Sequence, residues 1–406
     1  MTPVTRAFGD DVSLTHISEL VTNDPTLGDG PLGIVRDAGI VISNGAVAWV
    51  GPSSNLDKAT TTRPIDMTGR AVLPGFVDSH SHIIFAGDRS QEFAARMAGQ
   101  PYAAGGIRTT VEATRNASDD TLRTNARRLI QEMHSSGTTT VEIKSGYGLN
   151  VPDEARSVNI AAEFTDEVTF MGAHVVAPEY SEDPEAYVDL VCGPMLQACA
   201  ENSRWIDVFC DQGAFTEAQA RRILVSGIAQ GLLPRIHLSQ ITAGDGISMA
   251  VELDCASADH LTHLRDADIS ALSGSNTVAG LVPAAEFSTR SNYPRARDLI
   301  DAGVTIALSP DCNPGSSYTT SMPFCIALAV REMHMTVDEA IFAATQGGAK
   351  ALRRNDIGNL SLGSSGDLVA LNCSSYIHLA YRPGVSLVHS TWKRGTAIYQ
   401  SPTIEK

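Results

Sequence analysis

The sequence predicts an α/β fold: a (β/α)8 TIM-like barrel with a small β-sandwich domain built from both chain ends. Three observations predict it. Eight short apolar runs alternate with amphipathic helical stretches across the middle of the chain, the pattern of parallel strands joined by crossover helices. Short β runs with turn signals occupy both ends, and neither end is long enough to bury a core well alone. Histidines recur where the apolar runs stop, which in a barrel is the face that carries chemistry.

The N-terminal part reads as strands from 12 to 52. Val12 to Val21 is mixed apolar and polar, and a Gly/Pro/Asp-rich loop follows from Asn23 to Gly33. Gly39 to Gly51 carries Asn44-Gly45 between β-rich arms, a strong hairpin signal. Gly366 to Asn372 and Leu387 to Tyr399 repeat the pattern at the other end. The expected division is 1–70 with 360–406 as the β domain, and 71–359 as the barrel.

The eight central runs are Ala71 to Val77, Thr138 to Ile143, Val168 to Ala173, Trp205 to Cys210, Leu233 to Leu238, Cys255 to Asp259, Thr277 to Val282 and Val304 to Ser309. Helices are expected between them, among others over Asp119 to Ser136, Asp153 to Phe164 and Thr216 to Gln230. The last has Thr216 as N-cap and Gly231 as stop. No Gly-x-Gly-x-x-Gly follows the first central run, which counts against dinucleotide binding.

The 406 residues are 43% hydrophobic, ample for a large core. The formal net charge of -16 argues against nucleic acid or an anionic membrane as partner. It leaves small anionic substrates open, since an acidic surface can hold a local basic pocket. Seven scattered cysteines without a Cys-x-x-Cys pair suit reduced thiols in a cytoplasmic protein. Met1 to Arg6 shows no apolar export signal, and no run is long enough for a membrane span.

The stretch Val72-Leu73-Pro74-Gly75-Phe76-Val77-Asp78-Ser79-His80-Ser81-His82 organises the chemistry. Side chains alternate along a strand, so His80 and His82 point the same way and can chelate one ion. The other strand ends offer Glu142 and Lys144, His174, Asp211, His237, Asp259 and His260, and Asp311. From these, His80, His82, His237 and Asp311 supply three imidazoles and a carboxylate, a set that suits Zn or Fe and leaves room for a water. The competing readings are His237 as a hydrogen-bonded core residue and Asp311 as a turn cap. Such an ion lowers the pKa of a bound water and polarises a carbonyl. Asp311 and His260 are the candidate proton-transfer groups. Arg89 is either a bidentate clamp for a substrate carboxylate or a solvated loop arginine.

Pro74 to His82, the later strand-end histidine and the final strand-end aspartate resemble the amidohydrolase superfamily. More narrowly, the chain resembles the imidazolonepropionase family of histidine degradation. That resemblance rests on Phe85 to Phe93, Tyr102 to Ile107, Val141 to Leu149, Gly172 to Tyr180, Ser257 to Leu261 and Ser309 to Ser316. It implies hydrolysis of the ring amide of 4-imidazolone-5-propanoate to N-formimino-L-glutamate, one Zn2+ or Fe3+ per chain, and a homodimer. It implies His80, His82, His237 and Asp311 as ligands. Arg89, Tyr102, Tyr147, His174, Asn313, Gly315 and Ser316 become substrate contacts, and His260 acts near the reacting carbonyl. One position departs: many members carry Glu where Gln240 stands. An amide takes no proton at neutral pH, so Gln240 is left to orient a water or bond the imidazolone ring. The other expectations are a related amidohydrolase acting on another cyclic amide or as a deaminase, and an inactive metal- and ligand-binding homologue.

Overall fold

The computed structural model describes residues 11–58, 64–99 and 106–402. Tyr102 lies outside the described residues.

Both chain ends enter one eight-stranded sheet. Asn44 and Gly45 both have positive φ, 52° and 78°, the geometry that an Asn-Gly hairpin turn demands. The turn joins Ile34–Ser43 to Ala46–Pro52 in antiparallel register, with Ser43 opposite Ala46. Val12–Val21 pairs with Ile34–Ser43 on one side and, in parallel, with Ala71–Pro74 on the other. Leu368–Leu371 pairs antiparallel with the free edge of Ala71–Pro74 and then with Val388–Lys393. Ala71–Pro74 is thus the strand on which the two ends of the chain meet.

Strand alternation divides these residues between two cores. Val72, Leu368 and Ala370 pack with Leu14, Ile40 and Trp392 in the core of the terminal sheet. Ala71, Leu73, Val369 and Leu371 face the other way, into the large core of the barrel. A strand buried on both faces reads as a continuous apolar run. This is why Ala71 to Val77 reads as one strand, whereas the structure divides it. Ala71–Pro74 belongs to the terminal sheet, and Phe76–Asp78 is the first barrel strand, paired in parallel with Thr138–Val141.

Gly75 is the joint between them. Its N–H bonds Asp367 O at 2.9 Å, and the next N–H, of Phe76, bonds Gly137 O at 3.0 Å. A Cβ on Gly75 would fall 2.3 Å from both Oγ1 and Cγ2 of Thr139. Gly75→Ala is therefore expected to cost about 1–3 kcal/mol by overpacking. Thermal unfolding checks this, and an unchanged Tm would mean that Thr139 yields without cost.

The barrel strands follow in sequence order. Thr138–Val141 leads into Ile143–Lys144, then come Val168–Ala173, Trp205–Cys210, Ile236–Leu238, Ser257–His260, Val278–Leu281 and Ile306–Leu308, all paired in parallel. A parallel bridge between Ser81 and Cys312 brings the extension of the first strand against that of the last and closes the ring. Helices lie between successive strands. Thr216 caps Glu217–Ala229 through a reciprocal pair with Gln219. The helix expected from Asp153 starts earlier, at Val151, because Asn150 caps it and Pro152 suits its first turn. All seven cysteines are free thiols. Among the described residues no helix is long and apolar enough to cross a membrane.

Candidate metal centre and active site

Just past the first barrel strand, His80 and His82 turn the same way. Their Nε2 atoms lie 3.4 Å apart, and His237 Nε2, from the fifth strand, is 3.3 Å from that of His82. His80 Nδ1 sits 2.9 Å from Asp259 Oδ2, and His237 Nδ1 sits 3.0 Å from Asp207 Oδ1. A carboxylate on Nδ1 holds the proton there and leaves the Nε2 lone pair facing inward. Burial pushes the pKa of His80 and His82 well down, which keeps both rings neutral. Lone pairs converging in a dry place repel unless a cation lies among them.

Asp311 completes the set. Its Oδ1 is 3.5 Å from His80 Nε2 and 3.6 Å from His82 Nε2. That oxygen is buried and has no hydrogen-bond partner, while Ser316 donates to Oδ2 at 2.8 Å. Without a cation, burial pushes the Asp311 carboxyl well above the usual range. An orphaned carboxylate oxygen beside inward-facing imidazole nitrogens fits a metal ion, and His80, His82, His237 and Asp311 are the residues that would hold it.

Beneath the histidines lies a buried charge network. Lys144 Nζ bonds Glu142 Oε1 at 2.9 Å and Asp207 Oδ2 at 2.8 Å. Arg235 bonds Ser79 O at 2.6 Å and Asp259 Oδ2 at 3.3 Å. Burial alone would raise the Asp207 carboxyl, but His237 and the Lys144 ammonium beside it hold it well below the ordinary range. Glu142, Lys144 and Asp259 thus support the converging histidines from behind and do not line the cavity. The strand-end reading missed Asp207 and Arg235. Asp207 is a charge inside the apolar strand Trp205–Cys210 and Arg235 one just before Ile236–Leu238, and a buried charge in such a run must be paired.

Above the converging histidines a cavity of about 40 Å3 is lined by His82, Arg89, Tyr147, His174, Gln240, His260, Asn313 and Ser316, among others. Arg89 is buried, not a solvated loop residue. It gives Nε and Nη2 to Glu92 at 2.8 and 2.6 Å. Its Nη1 edge lies against Gly315, where a Cβ would come within 2.2 Å. Gly315 N in turn bonds Asn313 Oδ1 at 2.8 Å. His174 stacks on His82 with ring centres 5.1 Å apart and places Nδ1 3.1 Å from Gly146 O. His260 has φ +78° and brings its ring within 5.2 Å of His237. A left-handed backbone at a non-glycine residue marks a position held by its surroundings. Asp211 plays a different part. It accepts from the amides of Gln240, Ile241 and Thr242 and so fixes the loop that carries Gln240. A larger hollow of about 530 Å3, lined by Glu167, Arg354 and Asp356 among others, includes none of the converging histidines.

Three buried imidazoles and one carboxylate at the C-terminal face of a closed barrel define a metal-dependent hydrolase of a known class. The amidohydrolase family matches residues 71–397, and the chain belongs to it. Within that family it stands among the imidazolonepropionases. The imidazolonepropionase of Mycolicibacterium smegmatis is 61% identical, over 96% of this chain and 98% of the relative. That of Streptomyces coelicolor is 62% identical over 94% and 97%. Solved structures share the fold at low identity. Guanine deaminase from C. acetobutylicum superposes with a TM-score of 0.73 at 16% identity, over 96% of this chain and 100% of that one. A mutant atrazine chlorohydrolase from Arthrobacter aurescens, complexed with zinc and atraton, gives 0.72 at 16% identity over 97% of each.

Proposed function

We propose that the chain is an imidazolonepropionase, which hydrolyses the ring amide C–N bond of 4-imidazolone-5-propanoate to N-formimino-L-glutamate in histidine degradation. The observation that carries this reading is the convergence of His80, His82, His237 and the orphaned Asp311 oxygen at the floor of a pocket walled by Arg89. It occurs in a chain about three-fifths identical to imidazolonepropionases over nearly their full length.

The chain uses a metal cofactor, in this reading one Zn2+ or Fe3+ held by His80, His82, His237 and Asp311. When bound, such an ion makes water nucleophilic near neutral pH and polarises a carbonyl. Asp311 takes the proton of the attacking water, and His260 assists and steadies the carbonyl oxygen as charge develops on it. The ring C–N bond then breaks, and the leaving nitrogen receives the proton Asp311 took. Arg89 and Tyr147 read the propanoate carboxylate, with Tyr102, His174, Asn313, Gly315 and Ser316 completing the pocket. Gln240 orients the water or bonds an imidazolone nitrogen. We further infer a cytoplasmic homodimer with no nucleic-acid or membrane partner, in keeping with the acidic charge and the free thiols.

The test follows the ultraviolet absorbance of freshly generated imidazolone propanoate on protein of known metal content. Enzyme-dependent decay with formiminoglutamate as product is expected, lost on chelation and restored by Zn2+ or by iron. Decay no faster than the spontaneous rate, at about one metal per chain, would sink the proposal and move weight to another cyclic amide.

A further inference from the structure

We infer that Glu154, a carboxylate outside the pocket, is a positioning residue that sets Tyr147 and His174 and thereby the affinity for substrate. This rests on the reading of those two side chains as substrate contacts. Glu154 is fully buried. It stands near the start of the helix Val151–Ala162, whose N-terminus is anchored by the Asn150 side chain. Its Oε1 accepts from Gly148 N at 2.7 Å and Leu149 N at 2.9 Å, and the Gly146 N–H is shared between Oε2 at 3.1 Å and Oε1 at 3.2 Å.

Three amides of a loop therefore end on one side chain, where loop amides ordinarily meet water. The loop can wrap the carboxylate because Gly146 takes φ +109° and Leu149 takes φ +53°. Tyr147 lies between the anchored amides of Gly146 and Gly148. Its buried ring is 6.2 Å from that of His82 and 5.3 Å from that of His174. The same loop reaches His174 by a second route, since the Gly146 carbonyl lies 3.1 Å from His174 Nδ1. That contact places the proton on Nδ1 and leaves the Nε2 lone pair for the pocket. A carboxylate can accept on both oxygens. A glutamine there offers one acceptor and turns N–H groups towards the Gly146 amide, which keeps only its longer contact to the oxygen already shared by Gly148 and Leu149.

Glu154→Gln should raise KM for imidazolone propanoate about tenfold, with kcat within about threefold and metal content unchanged. The decisive readout is a double-mutant cycle with Tyr147→Phe. In the Tyr147→Phe background, Glu154→Gln should raise KM by clearly less than its effect in the wild type, the part acting through Tyr147 being lost and only the part acting through His174 remaining. On the wild-type chain, the amides of Gly148 and Leu149 should exchange with solvent as slowly as barrel-strand amides. This measurement decides the matter even if Glu154→Gln fails to fold. Exchange at ordinary loop rates, or independent multiplicative effects in the cycle, would overturn the inference. A raised KM in Tyr147→Phe beside an unmoved KM in Glu154→Gln would sink it alone. An unmoved KM in Tyr147→Phe would instead sink the reading of Tyr147 as a substrate contact.

Discussion

Asp311→Asn is expected to lower kcat by about 10^3-fold or more, whereas Gln240→Ala costs less than about tenfold. The reason is positional. The Asp311 oxygen that faces His80 and His82 is a buried carboxylate oxygen without a protein hydrogen bond. Asparagine has no negative charge to hold a cation and no basic oxygen to take a proton. Gln240 lines the cavity, but its loop is fixed by the Asp211 carboxylate through backbone amides, which an alanine side chain leaves intact. Steady-state kinetics on both variants, with metal content measured in parallel, makes the comparison. Comparable losses from the two would count against Asp311 as the proton acceptor.

The largest stability effect is expected at Lys144. Its ammonium is enclosed between Glu142 and Asp207, and all three side chains are shielded from solvent. Lys144→Met leaves two carboxylates buried with no ammonium between them, which should cost about 3–5 kcal/mol. Urea unfolding of the metal-free protein at neutral pH checks this. A loss under about 1 kcal/mol would show that the carboxylates find other donors. The same network gives stability a pH dependence of known sign. Asp207 is held well below its ordinary pKa in the fold. Its contribution is complete above the unfolded value, near pH 4, and is lost as the pH falls towards the folded one.

Much of this site can be read along the chain. His80 and His82 share a face because strands alternate, and Asp311 follows the last apolar run as a barrel ligand would. The Asn44-Gly45 turn is equally legible, because few other pairs tolerate two positive φ angles in succession. What hides from sequence is whatever two-sided burial or partner choice decides. Ala71 to Val77 looks the same whether its faces meet one core or two, so the joint at Gly75 leaves no trace in hydrophobicity. Glu142 and Lys144 also share an inward face, and sequence gives no depth along the barrel axis. They sit beneath the converging histidines and do not line the cavity. Arg89 gives no sign of whether its fork meets water or Glu92 three residues on. Glu154 resembles any acid in the first turn of a helix, and only the loop wrapped around it shows its part.

The joint at Gly75 also has a consequence in time. Ala71–Pro74 finds its second neighbour only when Leu368–Leu371 is made. At about 5–20 residues per second, the ribosome needs roughly 15–60 s to span that interval. Through it, the segment leading to His80 and His82 waits with one edge of its sheet open. Pairing between such distant segments is slow and leaves a strand edge exposed to other chains. A nascent chain stalled short of residue 368 should therefore stick to its neighbours and bind metal poorly, though every histidine ligand has already been synthesised.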